Sequence, residues 1–482
     1  MTDTTSDSAG RSKKVRLGYA AQPQAGRPFT ATEHPDIVLV DADSSHPRAM
    51  ARQCPHRGHD LAVHGKISPD GHFECLHKGY RWRRSTGEPT PDGRAVGGLV
   101  FARAYRDESG AWWADFGSED RPEAQADEPI LVISSAPIDQ SSLLDGHLAE
   151  LADCAASAFR EAAAALRGGT VRDDARAALR AAYDLLGQLV DGSSELAGQA
   201  AAAADSSGLS DDVQIYDAYF GVARAPQLSA KLAVASAAPT LRALAADLLH
   251  APLTPDDAAW LTEFAARFLT TCRAEVPHAP LVIREDVGED QALPAHTPQA
   301  RWRLGHRVYA LANRSAAAAL AAADTLLNRQ NRSGTVAQLR QAVEHVRALT
   351  AAMHLAAAMS ADAYQASVRP TMAPPALSIE LTGAMNVDHG SYRNALSTFL
   401  ANYDTPYAEG KSHSPDLALA LEQVLHADLN DLEAHIGLTY RLVGEVPALD
   451  EHADGSAVQA LRGLYLRRVV GYGPYLRINL AA

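Results

Sequence analysis

Two short groups of cysteine and histidine residues lie close together in the N-terminal part of the chain. The first group is Cys54-Pro55-His56-Arg57-Gly58, and the second is Cys75-Leu76-His77-Lys78-Gly79-Tyr80. Thiolates are good ligands for one ferric iron, and neutral imidazoles suit a second metal ion beside it. Two such loops therefore predict a metal pair, provided that a β scaffold brings them together.

The two groups resemble the Rieske [2Fe–2S] domain of oxygenase systems, in which C-P-H-R-G is followed, after a spacer, by C-P-Y-H-G-W. The resemblance covers approximately residues 29–117. It implies a [2Fe–2S] cluster in which Cys54 and Cys75 bind one iron and His56 binds the other.

The second group departs from the family pattern at one position. The family places its fourth ligand three residues after the second cysteine, where this chain has Lys78. Because a charged ammonium group has no free lone pair, we expect His77 to supply the fourth ligand through a shifted loop. Two alternatives remain open: a Rieske-shaped fold without a working cluster, and a different metal such as zinc, although the spacing is not that of a common zinc finger.

Short apolar runs predict the scaffold that must position these loops. Residues 37–40 form a continuous apolar run typical of a buried strand. Residues 99–105 and 111–116 flank the turn sequence Asp107-Glu108-Ser109-Gly110, and this arrangement predicts a β-hairpin. We therefore expect a small all-β domain over residues 29–117, preceded by a flexible polar arm over residues 1–28.

The remainder of the chain has a different character. Residues 118–142 begin with charged residues and predict an interdomain linker, whereas residues 143–482 are rich in alanine and leucine at helical spacing. The predicted fold class is α+β multidomain, with a small all-β Rieske-like domain followed by a large all-α helical domain.

One helix of the second domain is especially well defined by its sequence. Ser414-Pro415-Asp416 combines an N-cap residue, a proline at the first helical position and an acid in the first turn. The helix is expected to run to about Val443, with His435 on its apolar face.

The residues that follow His435 resemble the haem-binding segment of the tryptophan 2,3-dioxygenase superfamily. Arg441 lies six residues after this histidine and precedes Leu442-Val443-Gly444, and Gly455 and Ser456 fall near the position of the family's substrate-binding loop. The resemblance implies an all-α haem dioxygenase-like domain, with haem b bound through His435 and with Gly455 and Ser456 near the substrate.

Two upstream segments resemble a narrower branch, the monodechloroaminopyrrolnitrin synthase group, which has the indoleamine dioxygenase fold. They are Val368–Pro375 and Met385–His389. Asp431, one turn before the proposed haem ligand, is a candidate partner that orients the imidazole ring. Arg369 is a candidate clamp for a substrate carboxylate, and a structural ion pair is an equally good interpretation.

Two other histidines of the helical domain, His354 and His389, are candidate pocket residues. For both we expect a place on a helix or loop without haem contact.

Together the two domains predict a haem-dependent oxygenase that acts on tryptophan or a related aromatic amino acid in specialised metabolism. A tethered Rieske-type domain would deliver electrons at high effective concentration. The expected partners are O2, an aromatic amino acid and an external reductase or ferredoxin, and the resemblance allows a homodimer. The alternatives are a non-catalytic haem sensor and a non-haem iron oxygenase, for which Asp388-His389 offers only a fragment of the ligand triad.

Composition excludes several other classes. The chain has 482 residues, 46% hydrophobic and 21% charged, which is ordinary for a globular protein. Its net charge is −14, and nothing in the sequence predicts the basic surface that is typical of nucleic-acid-binding proteins. The chain lacks a long uncharged apolar run and an apolar leader, so neither a membrane span nor a secretory signal is predicted. With four cysteines, the expected compartment is the reducing cytoplasm.

Overall fold

The computed structural model forms two compact units. The first comprises Met1–Glu128 with Ser360–Leu381, and the second comprises Pro129–Met359 with Thr382–Ala482. The structure describes residues 14–19, 27–30, 32–34, 37–40, 47–52, 60–68, 72–76, 80–83, 101–107, 109–115, 130–144, 146–168, 172–271, 296–373, 376–444 and 456–477. Most of the predicted flexible arm lies outside the described residues, but Lys14–Gly18 form a strand that pairs with Trp112–Asp115 and buries Leu17, so the prediction is wrong for this part.

The first unit is built on two antiparallel sheets. One sheet has the strand order β1-β9-β8-β4-β3-β2, and the other has the order β5-β6-β7. The strands are β1 (Lys14–Gly18), β2 (Phe29–Thr30), β3 (Ile37–Val40), β4 (Arg48–Ala51), β5 (Gly65–Ile67), β6 (His72–Cys75), β7 (Tyr80–Arg83), β8 (Phe101–Arg106) and β9 (Trp112–Asp115), with the short helix α1 (Leu61–His64) between β4 and β5.

Strand β3 explains the apolar run noted in the sequence. Successive side chains of a strand point to opposite faces. Ile37 and Leu39 pack into one buried cluster, while Val38 and Val40 pack into another. Both faces of β3 are therefore buried, and this explains why its sequence does not alternate between polar and apolar residues. The predicted hairpin is also confirmed, because β8 pairs with β9 in antiparallel register.

The second unit is mainly helical. Its helices are α2 (Gly146–Arg167), α3 (Arg172–Gly192), α4 (Ser194–Ala202), α5 (Asp211–Phe220), α6 (Ala230–Asp247), α7 (Pro255–Thr271), α8 (Pro298–Asn328), α9 (Arg332–Ala356), α11 (Val387–Tyr403), α12 (Tyr407–His413), α13 (Pro415–Val443) and α14 (Ala457–Tyr472), while α10 (Ala361–Ala363) belongs to the first unit. A small β domain followed by a large helical domain confirms the predicted α+β class.

The predicted linker contains a strand that belongs to the second unit. Strand β10 (Leu131–Ser134) pairs in parallel with β11 (Val222–Ala225). The Ser236 hydroxyl of α6 accepts a hydrogen bond from the Val132 amide at 2.6 Å. Leu131, Val132 and Ile133 of the predicted linker are therefore part of a packed core, whereas Ile130 is exposed.

Small residues allow close packing between α8 and α9. A Cβ atom added at Gly305 would lie 2.5 Å from the Cβ of Ala356, closer than real side chains approach each other. The alanine-rich stretch of α8 is buried at Ala312, Ala316, Ala319 and Ala323. The low-complexity sequence therefore forms a tightly packed helix, as predicted.

Helix α13 has the predicted boundaries. It begins at Pro415 and ends at Val443, and Gly444 follows with a φ of 76°. Its apolar face is buried at Leu421, Leu425, Leu432 and Leu442. In the described part of the chain, no helix combines enough length with enough apolar character to cross a membrane.

A buried histidine makes the second unit sensitive to acid. His345 of α9 is buried edge-on against Phe264, and burial lowers its pKa to about 3. Below pH 6.5 the unfolded chain binds a proton that the folded chain does not, so the free energy of unfolding falls as pH decreases towards 3.

We expect His345→Leu to remove this contribution. Urea unfolding at pH 7 and pH 5 should show a loss of stability that is smaller in the variant by about 2 kcal/mol. An equal pH dependence in both proteins would show that His345 does not titrate in this way.

Candidate functional site

Of the predicted metal ligands in the first unit, Cys75 is the one among the described residues. Cys54, His56 and His77 lie outside them. The Cys75 thiol is free and buried at the end of β6, and the residue pairs with Tyr80 of β7. Cys75 and Tyr80 are therefore paired strand residues on either side of positions 76–79, which include the predicted ligand His77.

A salt bridge holds together the ends of the segment that carries the first Cys/His group. Arg52 Nε and Nη2 donate to the two carboxylate oxygens of Asp60 at 2.8 and 2.6 Å. The Leu61 amide also donates to the carbonyl oxygen of Arg52 at 2.7 Å. The residues on either side of positions 53–59 are therefore fixed by a bidentate pair and a backbone bond.

We expect Arg52→Gln to weaken cluster retention without unfolding the domain. The pair is part-exposed, so its loss should cost about 1 kcal/mol or less of stability. Iron and acid-labile sulfide per chain should nevertheless fall, because the ends of the ligand segment are no longer held together. The exposed pair of Arg16 and Glu33 offers a control, and Arg16→Gln should keep its cluster. Equal iron and sulfide in both variants would contradict the role given to Arg52.

In the second unit, His435 lies on α13 with part of its surface accessible. Burial and the charge of Arg468 lower its pKa below the usual value. Its imidazole is therefore neutral at pH 7, and within the described ranges its ring nitrogens make no hydrogen bond. A neutral imidazole with a free nitrogen is the form that binds iron.

Two further histidines lie near His435. The positive charge that His435 would carry lowers the pKa values of both His306 on α8 and His389 on α11. Burial is the main cause in both cases and brings each pKa to about 4. The Tyr309 hydroxyl and His389 Nδ1 are joined by a hydrogen bond of 3.1 Å. We call His306, Tyr309, His389 and His435 the histidine cluster.

The tautomer of His306 is set by its own helix. Its Nδ1 lies 2.8 Å from the carbonyl oxygen of Trp302 and donates to it. Its ring stacks on Phe220, with ring centroids 4.1 Å apart and an angle of 13° between the planes. The Nε2 lone pair is consequently the free one, held in a fixed orientation.

The histidine cluster fits a haem group by its chemistry. The three imidazoles are neutral at pH 7, because burial lowers their pKa values, and each keeps part of its surface accessible. In addition, the buried Nε of Arg468 makes no hydrogen bond in the described part of the molecule. Such a site offers nitrogen ligands for iron and a cation for an acidic group.

The other predicted site residues have local roles in the structure. Asp431 accepts a hydrogen bond from the Thr350 hydroxyl at 3.1 Å, and burial raises its pKa to about 7. Arg369 donates to Gln365 at 3.4 Å within the segment grouped with the first unit. Ser456 is the N-cap of α14, where its hydroxyl accepts from the Gln459 amide. Gly455 lies outside the described residues.

Two other residues named in the sequence are engaged elsewhere. Arg441 donates to the carbonyl oxygens of Ala357 and Met359 at 2.6 and 2.8 Å, which ties α13 to the end of α9. His354 Nδ1 lies 2.9 Å from a carboxylate oxygen of Asp257.

A separate open pocket of about 350 Å³ lies on the second unit. Its lining includes Trp260, Arg347, Thr350, Glu422, His426 and Arg477. It includes no member of the histidine cluster, although Thr350 also contacts Asp431.

Comparisons with known proteins agree with both halves of the chain. The model of the Rieske [2Fe–2S] domain family matches residues 13–94, which include both Cys/His groups. The model of the family described as SfmD 3-methyl-L-tyrosine peroxygenase matches residues 144–417, more than half of the chain. The chain belongs to the SfmD peroxygenase family. The match includes His306 and His389 and ends before His435.

One solved structure is similar to the chain, the crystal structure of reduced SfmD soaked with sodium hydrosulfite. It is 21% identical, with a TM-score of 0.36, and the alignment covers 62% of this chain and 96% of that one. No curated protein matched the chain.

Membership of the SfmD peroxygenase family makes the chain an oxidoreductase of the oxygenase class. The two families imply the two predicted cofactors, a [2Fe–2S] cluster for the Rieske domain and haem for the peroxygenase domain. The histidine cluster was only partly foreseen from the sequence. The sequence predicts no haem contact for His389 and does not point to His306, Tyr309 or Arg468. His306 and Tyr309 lie three residues apart on one helix, and this spacing is the sequence signal that could have revealed them.

Proposed function

We propose that the chain is a haem-dependent oxygenase that acts on tryptophan or a related aromatic amino acid and receives electrons through its Rieske domain. The observation that carries the proposal is the arrangement of His306 and Tyr309, three residues apart on α8, with Tyr309 hydrogen-bonded to His389 of α11. The charge that His435 of α13 would carry acts on both His306 and His389, and all three imidazoles are neutral at pH 7. They suit a haem group in an oxygenase family.

His435 is the proposed iron ligand. Its charge would act on both of the other histidines of the histidine cluster. It projects from α13, a helix of 29 residues with a buried apolar face, which holds the ring in place. A haem bound there supplies the centre at which O2 or a peroxide is activated.

His389 and Tyr309 are the proposed pair that orients a bound group by hydrogen bonding. Their hydrogen bond of 3.1 Å joins a neutral imidazole to a phenol whose pKa burial raises well above 10. Both side chains are therefore uncharged at pH 7, and the bond between them holds the His389 ring in a fixed orientation. His306, with its Nε2 free, is a further imidazole of the histidine cluster that can bind or orient a group.

Cys54, His56, Cys75 and His77 are the proposed ligands of the [2Fe–2S] cluster. When bound, the cluster supplies one-electron transfer. An external reductase or ferredoxin would serve as donor, and the cytoplasm is the proposed compartment. Covalent linkage of the two domains favours transfer within one chain.

The substrate is proposed at the level of an aromatic amino acid. The matched family carries 3-methyl-L-tyrosine in its name, and the resemblance to the monodechloroaminopyrrolnitrin synthase branch indicates tryptophan. Both are aromatic amino acids of specialised metabolism. Arg369, Gly455 and Ser456 remain proposed contacts of the substrate, and Asp431 remains a proposed positioning residue for His435.

Product analysis tests this function. Purified protein loaded with both cofactors would be incubated with L-tyrosine, 3-methyl-L-tyrosine or L-tryptophan. One series would contain O2 and a reductant, and a parallel series would contain hydrogen peroxide alone. We expect a product heavier by one or two oxygen atoms from at least one amino acid. Haem binding with no oxygenated product from any of them would favour a haem sensor.

A further inference from the structure

A buried charged group lies beside the histidine cluster, centred on Asp428 of α13. This carboxylate is completely buried and accepts four hydrogen bonds. The donors are Tyr392 at 2.9 Å, Arg393 at 2.7 Å, Arg468 at 3.1 Å and Tyr472 at 2.6 Å. Helices α11, α13 and α14 are thus joined through one carboxylate.

The charges of this group do not balance. Arg393 and Arg468 are always protonated in proteins, and Asp428 supplies a single negative charge. The Arg393 side chain is 23% exposed, whereas the Arg468 side chain is 7% exposed, and a buried positive charge is costly unless an anion accompanies it. Burial raises the pKa of Asp431, three residues after Asp428, to about 7, so this second acid supplies only part of a negative charge at pH 7. Among the described residues, the group therefore has one cation more than it has committed carboxylates.

Arg468 is the member of this group that has a hydrogen-bond donor without an acceptor among the described residues. Its side chain is 7% exposed, and its Nε is buried without a hydrogen-bond acceptor in the described ranges. Tyr392, which donates to the same carboxylate as Arg468, has its ring centroid 6.0 Å from that of His389. The guanidinium of Arg468 is therefore joined through Asp428 and Tyr392 to the edge of the histidine cluster.

We infer that Arg468 binds a carboxylate inside the histidine cluster and that Arg393 and Asp428 hold it in position. A guanidinium binds a carboxylate through parallel hydrogen bonds, and an anion there would also neutralise the surplus charge. The inference rests on the proposed function, which offers two carboxylates: a haem propionate and the carboxylate of the amino-acid substrate.

Paired ligands that differ only in the carboxylate distinguish these sources. Apoprotein would be titrated with haem and with haem dimethyl ester, and absorbance in the Soret region would be followed. Haem-loaded protein would be titrated with L-tryptophan and tryptamine, and with L-tyrosine and tyramine, by calorimetry. The quantity compared between proteins is the affinity ratio within each pair.

The test variant is Arg468→Gln, and the matched control is Arg301→Gln. Arg301 is equally buried and forms a bidentate pair with Asp247, at 2.7 and 2.8 Å, away from the histidine cluster. We expect Arg468→Gln to reduce the preference for the carboxylate-bearing ligand by about tenfold or more in one of the pairs. A change in the haem pair assigns the propionate, and a change in the amino-acid pairs assigns the substrate.

Unchanged ratios in all pairs would overturn the inference. If Arg468→Gln does not fold, Arg468→Lys keeps the charge and loses the bidentate geometry, and the same ratios are then read from it with a smaller expected fall. Failure of the wild-type protein to bind haem at all would refute the proposed function, which is a separate outcome from unchanged ratios.

Discussion

Replacing His435 by alanine is expected to abolish most of the Soret band of the haem-loaded protein. Loss of a residue that merely orients a metal ligand costs about 10- to 100-fold in affinity, and loss of the ligand itself should cost more. The neutral ring of His435 has no hydrogen bond to lose in the described residues, so folding should suffer little. Titration of apoprotein with haem measures the effect directly.

His354→Ala is the matched control for this experiment. His354 pairs with Asp257 rather than with the histidine cluster, and its variant should bind haem like the wild type. An intact Soret band in His435→Ala together with a lost band in His389→Ala or His306→Ala would move the ligand to that histidine. The three single variants therefore identify which imidazole binds the iron.

Cys75→Ser and His77→Ala are expected to lose the [2Fe–2S] cluster, whereas Lys78→Ala is expected to keep it. The contrast follows from ligand chemistry, because a thiolate and an imidazole offer lone pairs to iron and an ammonium group does not. The adjacent positions 77 and 78 make a closely matched pair, since both fall in the sequence between the paired residues Cys75 and Tyr80. Acid-labile sulfide and the visible spectrum report the cluster.

A second readout follows from the proposed path of electrons. In variants without the cluster, reduction of the haem by an external reductase should slow strongly, while reduction by dithionite should proceed. Loss of sulfide in Lys78→Ala and its retention in His77→Ala would contradict the ligand set. That result would return the fourth ligand to the position that the family uses.

The sequence predicted most of the fold around the metal loops because local patterns determine it. The β8–β9 hairpin follows from two apolar runs around a turn, and Asp107 secures that turn through Ser109 and Ala111. Helix α13 follows from proline at its first position and from leucines at helical spacing. These signals extend over a few residues and need no knowledge of distant partners.

The histidine cluster could be predicted only in part, because tertiary packing assembles it. His306 and His435 are 129 residues apart, on helices whose sequences give no sign of meeting. The partners of Asp428 lie 35 to 44 residues away in the chain. The sequence of β10 indicates a linker for a related reason. Its partner strand β11 comes four helices later in the chain, so no local pattern reveals the pairing.

One chain is expected to carry both a haem and a [2Fe–2S] cluster. An absorption spectrum of the purified protein, as isolated and after dithionite, tests this most directly when haem, total iron and acid-labile sulfide are counted in the same sample. We expect a Soret band that is lost in His435→Ala, together with two non-haem irons and two sulfides that are lost in Cys54→Ala. The absence of a Soret band from protein reconstituted with both cofactors would contradict a haem site at His435.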